Sequence, residues 1–347
     1  MKTIFFLWKD APSYAVHIIK YIIDNSNYQI KLLTNIKKKD LSTFNKILKK
    51  NIINLENNTY KNWGELKLND PNILFVSGWR YKKFDKIIQH SKVSNTKIVS
   101  MIDNNKKNNF RQFVGKHIFK LLYEKNFDAY WVPGESSSKL LISYGINKKS
   151  IFKNLYSINR KIFKSNVSIN SRENNFIYVG QMIDRKNIQL LINLFKRIFN
   201  KYQNTKLYII TNKINSKLIP NEYKKNFIVK ENLKPKKINY YLNKVKYFIL
   251  LSKEDHWPLA VMEALCSGNI LLLSKKIGNF NEIKNTDNLF INKLTTKDTY
   301  SKILNYIKRN TINFNNISKS NISLSNKFAL KNSLDSFRSI IKFINEK

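Results

Sequence analysis

Short apolar runs alternate with longer stretches of helical periodicity from one end of the chain to the other. That alternation predicts parallel sheets joined by crossover helices. The expected strands of the first half are Thr3–Leu7, Gln29–Leu33, Ile73–Ser77, Thr96–Met101 and Ala129–Val132. Those of the second half are Phe176–Val179, Lys206–Ile210, Phe227–Lys230, Tyr247–Leu251 and Ile270–Leu273. Between them, Ile188, Leu191, Phe195 and Ile198 recur at helical spacing. With 347 residues there is material for two such α/β domains, each with its own core. The polar stretch Lys164–Asn175 reads as a linker between a first domain over 1–165 and a second over 170–330. The Asn- and Ser-rich segment Asn310–Lys327 reads as a surface loop, followed by a closing helix within 330–347.

Charge is the most unusual bulk property: 63 Lys and Arg face 23 Asp and Glu, a formal balance of +40. Such a number first suggests a nucleic-acid or anionic-membrane partner. The basic residues are spread along the whole chain and accompany heavy Asn and Ile use, so no specific nucleic-acid partner is expected. An anionic membrane surface needs only a basic face and fits better. One cysteine, Cys266, excludes an internal disulfide framework and a cysteine-cluster metal site. The apolar start Met1–Trp8 is broken by Lys9 and Asp10, so it reads as a core strand rather than a secretory signal. No apolar run has the length of a membrane span. The expectation is a cytoplasmic protein, soluble or peripheral on the inner membrane face.

Two segments carry the chemistry. In Ser252–Gly268, Asp255 should fall just past a strand's carboxyl end, where ligands bind in open α/β sheets. Pro258 suits the start of a helix and Gly268 its end. Glu263 then sits among Ala260, Val261, Met262, Ala264, Leu265 and Cys266, where a carboxylate is costly unless hydroxyl donors satisfy it. A solvent-facing helix edge is the other reading of Glu263. In Phe176–Asn187, a strand is followed by Gly180, a short loop, then Arg185 and Lys186 close to a helix start. Cations there oppose the helix dipole, and a bound diphosphate would reverse that penalty. In so lysine-rich a chain, the alternative is that any loop would carry such residues.

Together these segments resemble the retaining GT-B glycosyltransferases of family 4, also called glycosyl transferases group 1. That family has a strand-end loop of Gly, Arg or Gln, Leu, three variable residues, Lys and Gly, matched here from Gly180-Gln181-Met182 to Lys186-Asn187. It also has an acidic residue, seven intervening residues and Glu, matched by Asp255 through Glu263. A later motif is matched by Ser274, Gly278 and Glu282, and Ser77–Arg80, Met101–Gln112 and Tyr130–Gly145 resemble segments of its first domain. The resemblance implies two Rossmann-like domains facing across a cleft, the first binding an acceptor and the second a nucleoside diphosphate sugar. It implies a hexosyl transfer with retention, without metal or other cofactor, to a glycan or lipid-linked acceptor in cell-envelope polysaccharide synthesis. Lys186 and Arg185 would bind the diphosphate beside Gly180 and Gln181, Glu263 the ribose and Asp255 the sugar. His256 and the backbone of Trp257, Pro258 and Leu259 would complete the donor site, and Asp103 would stand on the acceptor side.

This sequence departs from the family pattern in several places. Asp255 stands for the usual Glu, Gln181 for a common Arg, and Thr211-Asn212 lacks the usual glycine. Ile102 occupies the place of a His that often precedes Asp103. An epimerase of the same fold, or a basic binding protein without catalysis, are the competing readings.

The four histidines lack metal-ligand spacing. The basic, amphipathic stretch Asn105–Lys125 carries Phe110, Phe113, Val114, His117, Leu121 and Leu122, with Lys106, Lys107, Arg111, Lys116 and Lys120 elsewhere. Core packing is the expectation for that stripe, and a membrane-surface helix the alternative.

Overall fold

Each expected strand is present and every strand pair is parallel. In a computed structural model that describes residues 1–36, 38–56, 58–107 and 109–346, the chain divides into two units. The first comprises Met1–Ser157 and the chain from Leu330 onward, and the second Ile158–Ala329.

The first unit holds β1 (Thr3–Trp8), β2 (Gln29–Thr34), β3 (Ile52–Asn54), β4 (Ile73–Ser77), β5 (Lys97–Met101), β6 (Ala129–Trp131) and β7 (Ile151–Phe152). They form one sheet in the order β3-β2-β1-β4-β5-β6-β7. The second unit holds β8 (Glu173–Val179), β9 (Leu207–Thr211), β10 (Phe227–Glu231), β11 (Val245–Leu250), β12 (Ile270–Ser274) and β13 (Leu289–Ile291). Its order, β10-β9-β8-β11-β12-β13, is that of a dinucleotide-binding sheet, with the reversal of strand order between β8 and β11. The central strands are buried along nearly their whole length, as Val-, Ile- and Leu-rich runs of a parallel sheet must be. The strands that sequence periodicity does not reveal, β3, β7 and β13, have two or three residues each. Runs that short carry no period.

Two expectations about chain organisation are corrected. Lys164–Asn175 is not a free linker. Arg172, 4% exposed, donates to the carbonyls of Val167, Leu242 and Ser267 and to the hydroxyl of Ser165. The backbone N–H groups of Lys164 and Asn166 donate to Asn239 and Asn243. The polar composition of the stretch thus serves an internal network, and the unit boundary falls earlier, after Ser157. Burial, by desolvating the guanidinium, lowers the Arg172 pKa to about 10. Arg172→Met is expected to lower stability by about 3 kcal/mol, by stranding several buried carbonyls. A urea midpoint unchanged from wild type would contradict this account.

The segment over 310–327 is likewise not a loop. It forms the helix Phe314–Leu324, which buries Phe314, Ile317, Ser318 and Asn321 on one face. Asn321 donates to the Asn269 carbonyl at 2.8 Å and Ser318 to the Gly268 carbonyl at 2.7 Å. Small polar side chains form this buried face because it packs on backbone that needs donors.

The closing helix, Leu330–Asn345, belongs to the first unit. Its stripe of Leu334, Phe337, Ile340, Ile341 and Ile344 is buried. Phe337 stacks on Phe75 of β4 and Phe6 of β1, with ring centroids 5.5 and 6.3 Å apart.

Candidate active site

Local sequence builds both halves of the candidate site at the point where the second sheet reverses. Gly180 follows β8 directly and Asp255 lies five residues beyond the end of β11. These two strands are hydrogen-bonded neighbours, so their carboxyl-end loops meet. A Cβ on Gly180 would come within 2.8 Å of the Tyr178 hydroxyl, which donates to the Gln181 carbonyl at 2.7 Å. The glycine therefore lets Tyr178 brace the loop from beneath, and burial holds that phenol far above its ordinary pKa. The chain then makes a single 3-10 turn, Asp184–Lys186, and enters the helix Ile188–Lys201 through Asn187 at φ +59°. The related pattern has glycine there, and Asn is the residue that tolerates the left-handed conformation next best.

That turn delivers both cations to one carboxylate. Lys186 Nζ pairs with Asp255 Oδ2, and Arg185 Nη1 lies 3.5 Å from Asp255 Oδ1. Lys186 and Asp255 are 9% and 5% exposed, so the pair is nearly dry, whereas the Arg185 side chain is half exposed. Backbone hydrogen bonds tie the loops together. The N–H groups of Lys253 and Glu254 donate to the Arg185 carbonyl. Asp255 donates to the Lys276 carbonyl and accepts from Gly278 N–H at 2.8 Å. The Ser274–Gly278 part of the later motif thus locks Asp255 in place from the β12 side.

Pro258 is the N-cap, and the helix Leu259–Cys266 follows it without a side-chain cap. Val261 N–H donates to the Pro258 carbonyl, and no side-chain cap takes up the N–H groups of Leu259 and Ala260, which can serve an acceptor. Gly268, at φ +73°, follows its C-cap as expected. Glu263 retains some solvent contact, and burial of its surroundings pushes its pKa up from 4.5 to about 7. No hydrogen bond or ion pair joins its side chain to the Lys186–Asp255 pair among the described residues. The Trp257 indole is buried and donates to Met262 Sδ, leaving only its backbone for a ligand. His256 Nε2 lies 3.0 Å from Glu254 Oε1.

Beside these groups, an open cavity of about 540 Å³ is walled by Gln181, Met182 and Ile183 on one side and by residues from Asn212 to Lys217 on the other. Those walls are the loops after β8 and β9. Periodicity did not single out the second wall, because its residues carry no distinctive pattern.

Asp103 lies in the first unit, two residues past β5, and accepts from Tyr156 at 3.1 Å. Tyr14 packs edge-on against Tyr156 at 5.2 Å, and burial raises the pKa of both phenols. Neither tyrosine is suggested by a motif. Distance in sequence conceals the group, since its members come from three separate loops and helices.

Residues 159–322 match the family described as glycosyl transferases group 1. That span is nearly the whole of the second unit, which is similar to this family. Its switch-point loops are the parts just described, and the matched span covers both. An uncharacterised glycosyltransferase of Methanocaldococcus jannaschii is 28% identical over 130 residues, 34% of this chain and 32% of that one. The chain thus matches about a third of the length of that relative. Among solved structures, a glycosyltransferase from Rickettsia africae superposes over 100% of this chain and 99% of its own, with a TM-score of 0.76 and 14% identity. The Anabaena protein HepE, bound to UDP and glucose, matches over 99% of each chain with a TM-score of 0.74 and 10% identity. A sucrose-phosphate synthase from Thermosynechococcus elongatus matches over 100% of each, at 0.72 and 11%. The fold class expected from the sequence, two Rossmann-like α/β domains of the GT-B kind, is therefore the one present.

Proposed function

We infer that the chain is a family 4 enzyme that transfers a hexose from a nucleoside diphosphate sugar to a hydroxyl of a glycan or lipid-linked glycan, with retention and without a metal. The observation that carries this reading is the convergence of Lys186, Arg185 and Asp255 at the switch point of the second sheet. HepE binds UDP and glucose by its description, and the same class of donor suits this site. In the free protein Asp255 pairs with Lys186 and lies beside Arg185, leaving one positive charge in excess. A donor diphosphate would take over Lys186 and Arg185 and use the open N–H groups at Leu259. Asp255, released from that pairing, would accept hydroxyls of the sugar. Glu263 would accept the ribose hydroxyls, which supply the donors that its apolar helix does not.

In the transfer, the bond from the sugar's anomeric carbon to the diphosphate oxygen breaks and a bond to the acceptor oxygen forms. The acceptor's proton passes to the departing phosphate oxygen. The two cations stabilise the charge that accumulates there, which is electrostatic stabilisation of a leaving group. Asp103, held by Tyr156, is assigned to the acceptor.

A thermal-shift screen against UDP, GDP and ADP sugars, followed by product analysis, tests this reading. Stabilisation by one donor class, absent in Lys186→Ala with Glu263→Ala, is expected. Donor isomerisation without transfer would show an epimerase instead, and no nucleotide response would remove the proposal.

A further inference from the structure

Most of the amphipathic stretch that core packing was expected to absorb lies in solvent. The helix Phe110–Leu122 buries only Phe119. Phe110 is 80% exposed, Phe113 62% and Leu121 76%, with Val114 and Leu122 also exposed. The expectation of a packed stripe is overturned because the helix docks by its other side. A Cβ on Gly115 would lie 3.1 Å from the Tyr144 hydroxyl, and Phe119 packs among Tyr144, Tyr130 and Trp79. At about 100° per residue, Phe110, Phe113, Val114, His117 and Leu121 form one stripe opposite Phe119. Arg111 flanks that stripe on one side and Lys116 and Lys120 on the other.

We propose that this helix lies on an anionic lipid bilayer, with Phe110, Phe113, Val114 and Leu121 inserted among the acyl chains and Arg111, Lys116 and Lys120 on the phosphates. Charge complementarity selects this occupant. Large apolar side chains flanked by Arg111 on one side and by Lys116 and Lys120 on the other match an interface that is apolar inside and anionic at its rim. The +40 balance of the chain adds long-range attraction to the same surface. No helix among the described residues is long and apolar enough to cross a membrane, so contact would be peripheral. The inference uses the first unit alone and involves no nucleotide, so it stands or falls separately from the donor-site reading.

Co-sedimentation of the full chain with phosphatidylcholine vesicles, with and without phosphatidylglycerol, tests it. Binding is expected only with the anionic lipid at low salt. Phe113→Glu with Leu121→Glu, and separately Arg111→Gln with Lys116→Gln, should each reduce it roughly tenfold or more. Circular dichroism should be unchanged, and Phe113→Ala with Leu121→Ala serves if the Glu pair perturbs folding. Three results would overturn the proposal: no binding to anionic vesicles, equal binding to both vesicle types, or binding that survives loss of the apolar residues. The last would indicate attraction to polyanions by charge alone. A wild-type dimer that the apolar variants split would assign the face to a second copy of the chain and equally overturn it.

Discussion

Glu263→Gln is expected to make the protein more stable at pH 8 while weakening its hold on a nucleotide sugar. The carboxyl has its pKa raised from 4.5 to about 7 by burial. Between those values the native state keeps a proton that the unfolded chain has released. Stability therefore falls as pH rises through that window and stays reduced above it. A shift of this size corresponds to about 3 kcal/mol; because the side chain keeps some solvent contact, about 2 kcal/mol is the expected gain on substitution. At pH 4.5, where both states are largely protonated, the variant should gain little. Nucleotide binding should move the opposite way. In the proposed donor site ribose hydroxyls would satisfy the ionised carboxylate, so wild-type affinity should rise as pH increases through 7, and Gln should remove that dependence along with roughly tenfold of affinity. Thermal midpoints at the two pH values and calorimetric titration with a nucleotide sugar measure both effects. A variant less stable at pH 8 would show that Glu263 has a native partner, and the account of a carboxylate held for a ligand would fail.

Lys186→Met is expected to have the largest effect on donor binding, about a hundredfold loss, since a nearly dry cation contributes most to diphosphate recognition. It also removes one side of a buried ion pair. Loss of this nearly dry partner, with the half-exposed Arg185 still 3.5 Å from Asp255, should lower stability by about 2–3 kcal/mol. Adding Asp255→Asn removes the stranded charge, so the double variant should regain much of that stability without regaining donor binding. Urea midpoints and donor titrations for the two single variants and the double close the cycle. If the losses simply add, Lys186 and Asp255 do not act as a pair. If the double variant binds donor normally, the cation is not the diphosphate ligand.

Much of the site could be read from sequence because its parts are local. A strand, Gly180 and a cation pair within a few residues, or Asp255 followed at fixed spacing by Glu263, are each built by a single strand–loop–helix unit. Backbone geometry carries such a unit to the carboxyl end of its strand wherever it occurs. The order of strands in the sheet then brings two of these units side by side. Pairings between distant residues were not legible, because nothing in the composition of one loop names its partner in another. The Lys186–Asp255 pair spans 69 residues and the Tyr156–Asp103 bond 53.

The sequence alone determined the parallel α/β class, the central strands and the strand-end loops that carry the candidate residues, since alternating apolar periodicity and strand-end motifs are properties of neighbouring residues. Tertiary structure decided which polar stretches would be internal. It buried Arg172 of Lys164–Asn175 and Ser318 and Asn321 of the 310–327 segment, because nearby backbone carbonyls needed donors. It returned the last helix to the first sheet through Phe337, and it left Phe110, Phe113 and Leu121 outside because Gly115 and Phe119 took the core-facing side. An amphipathic stripe records that a helix has an apolar face; what covers that face is settled only by the surfaces around it.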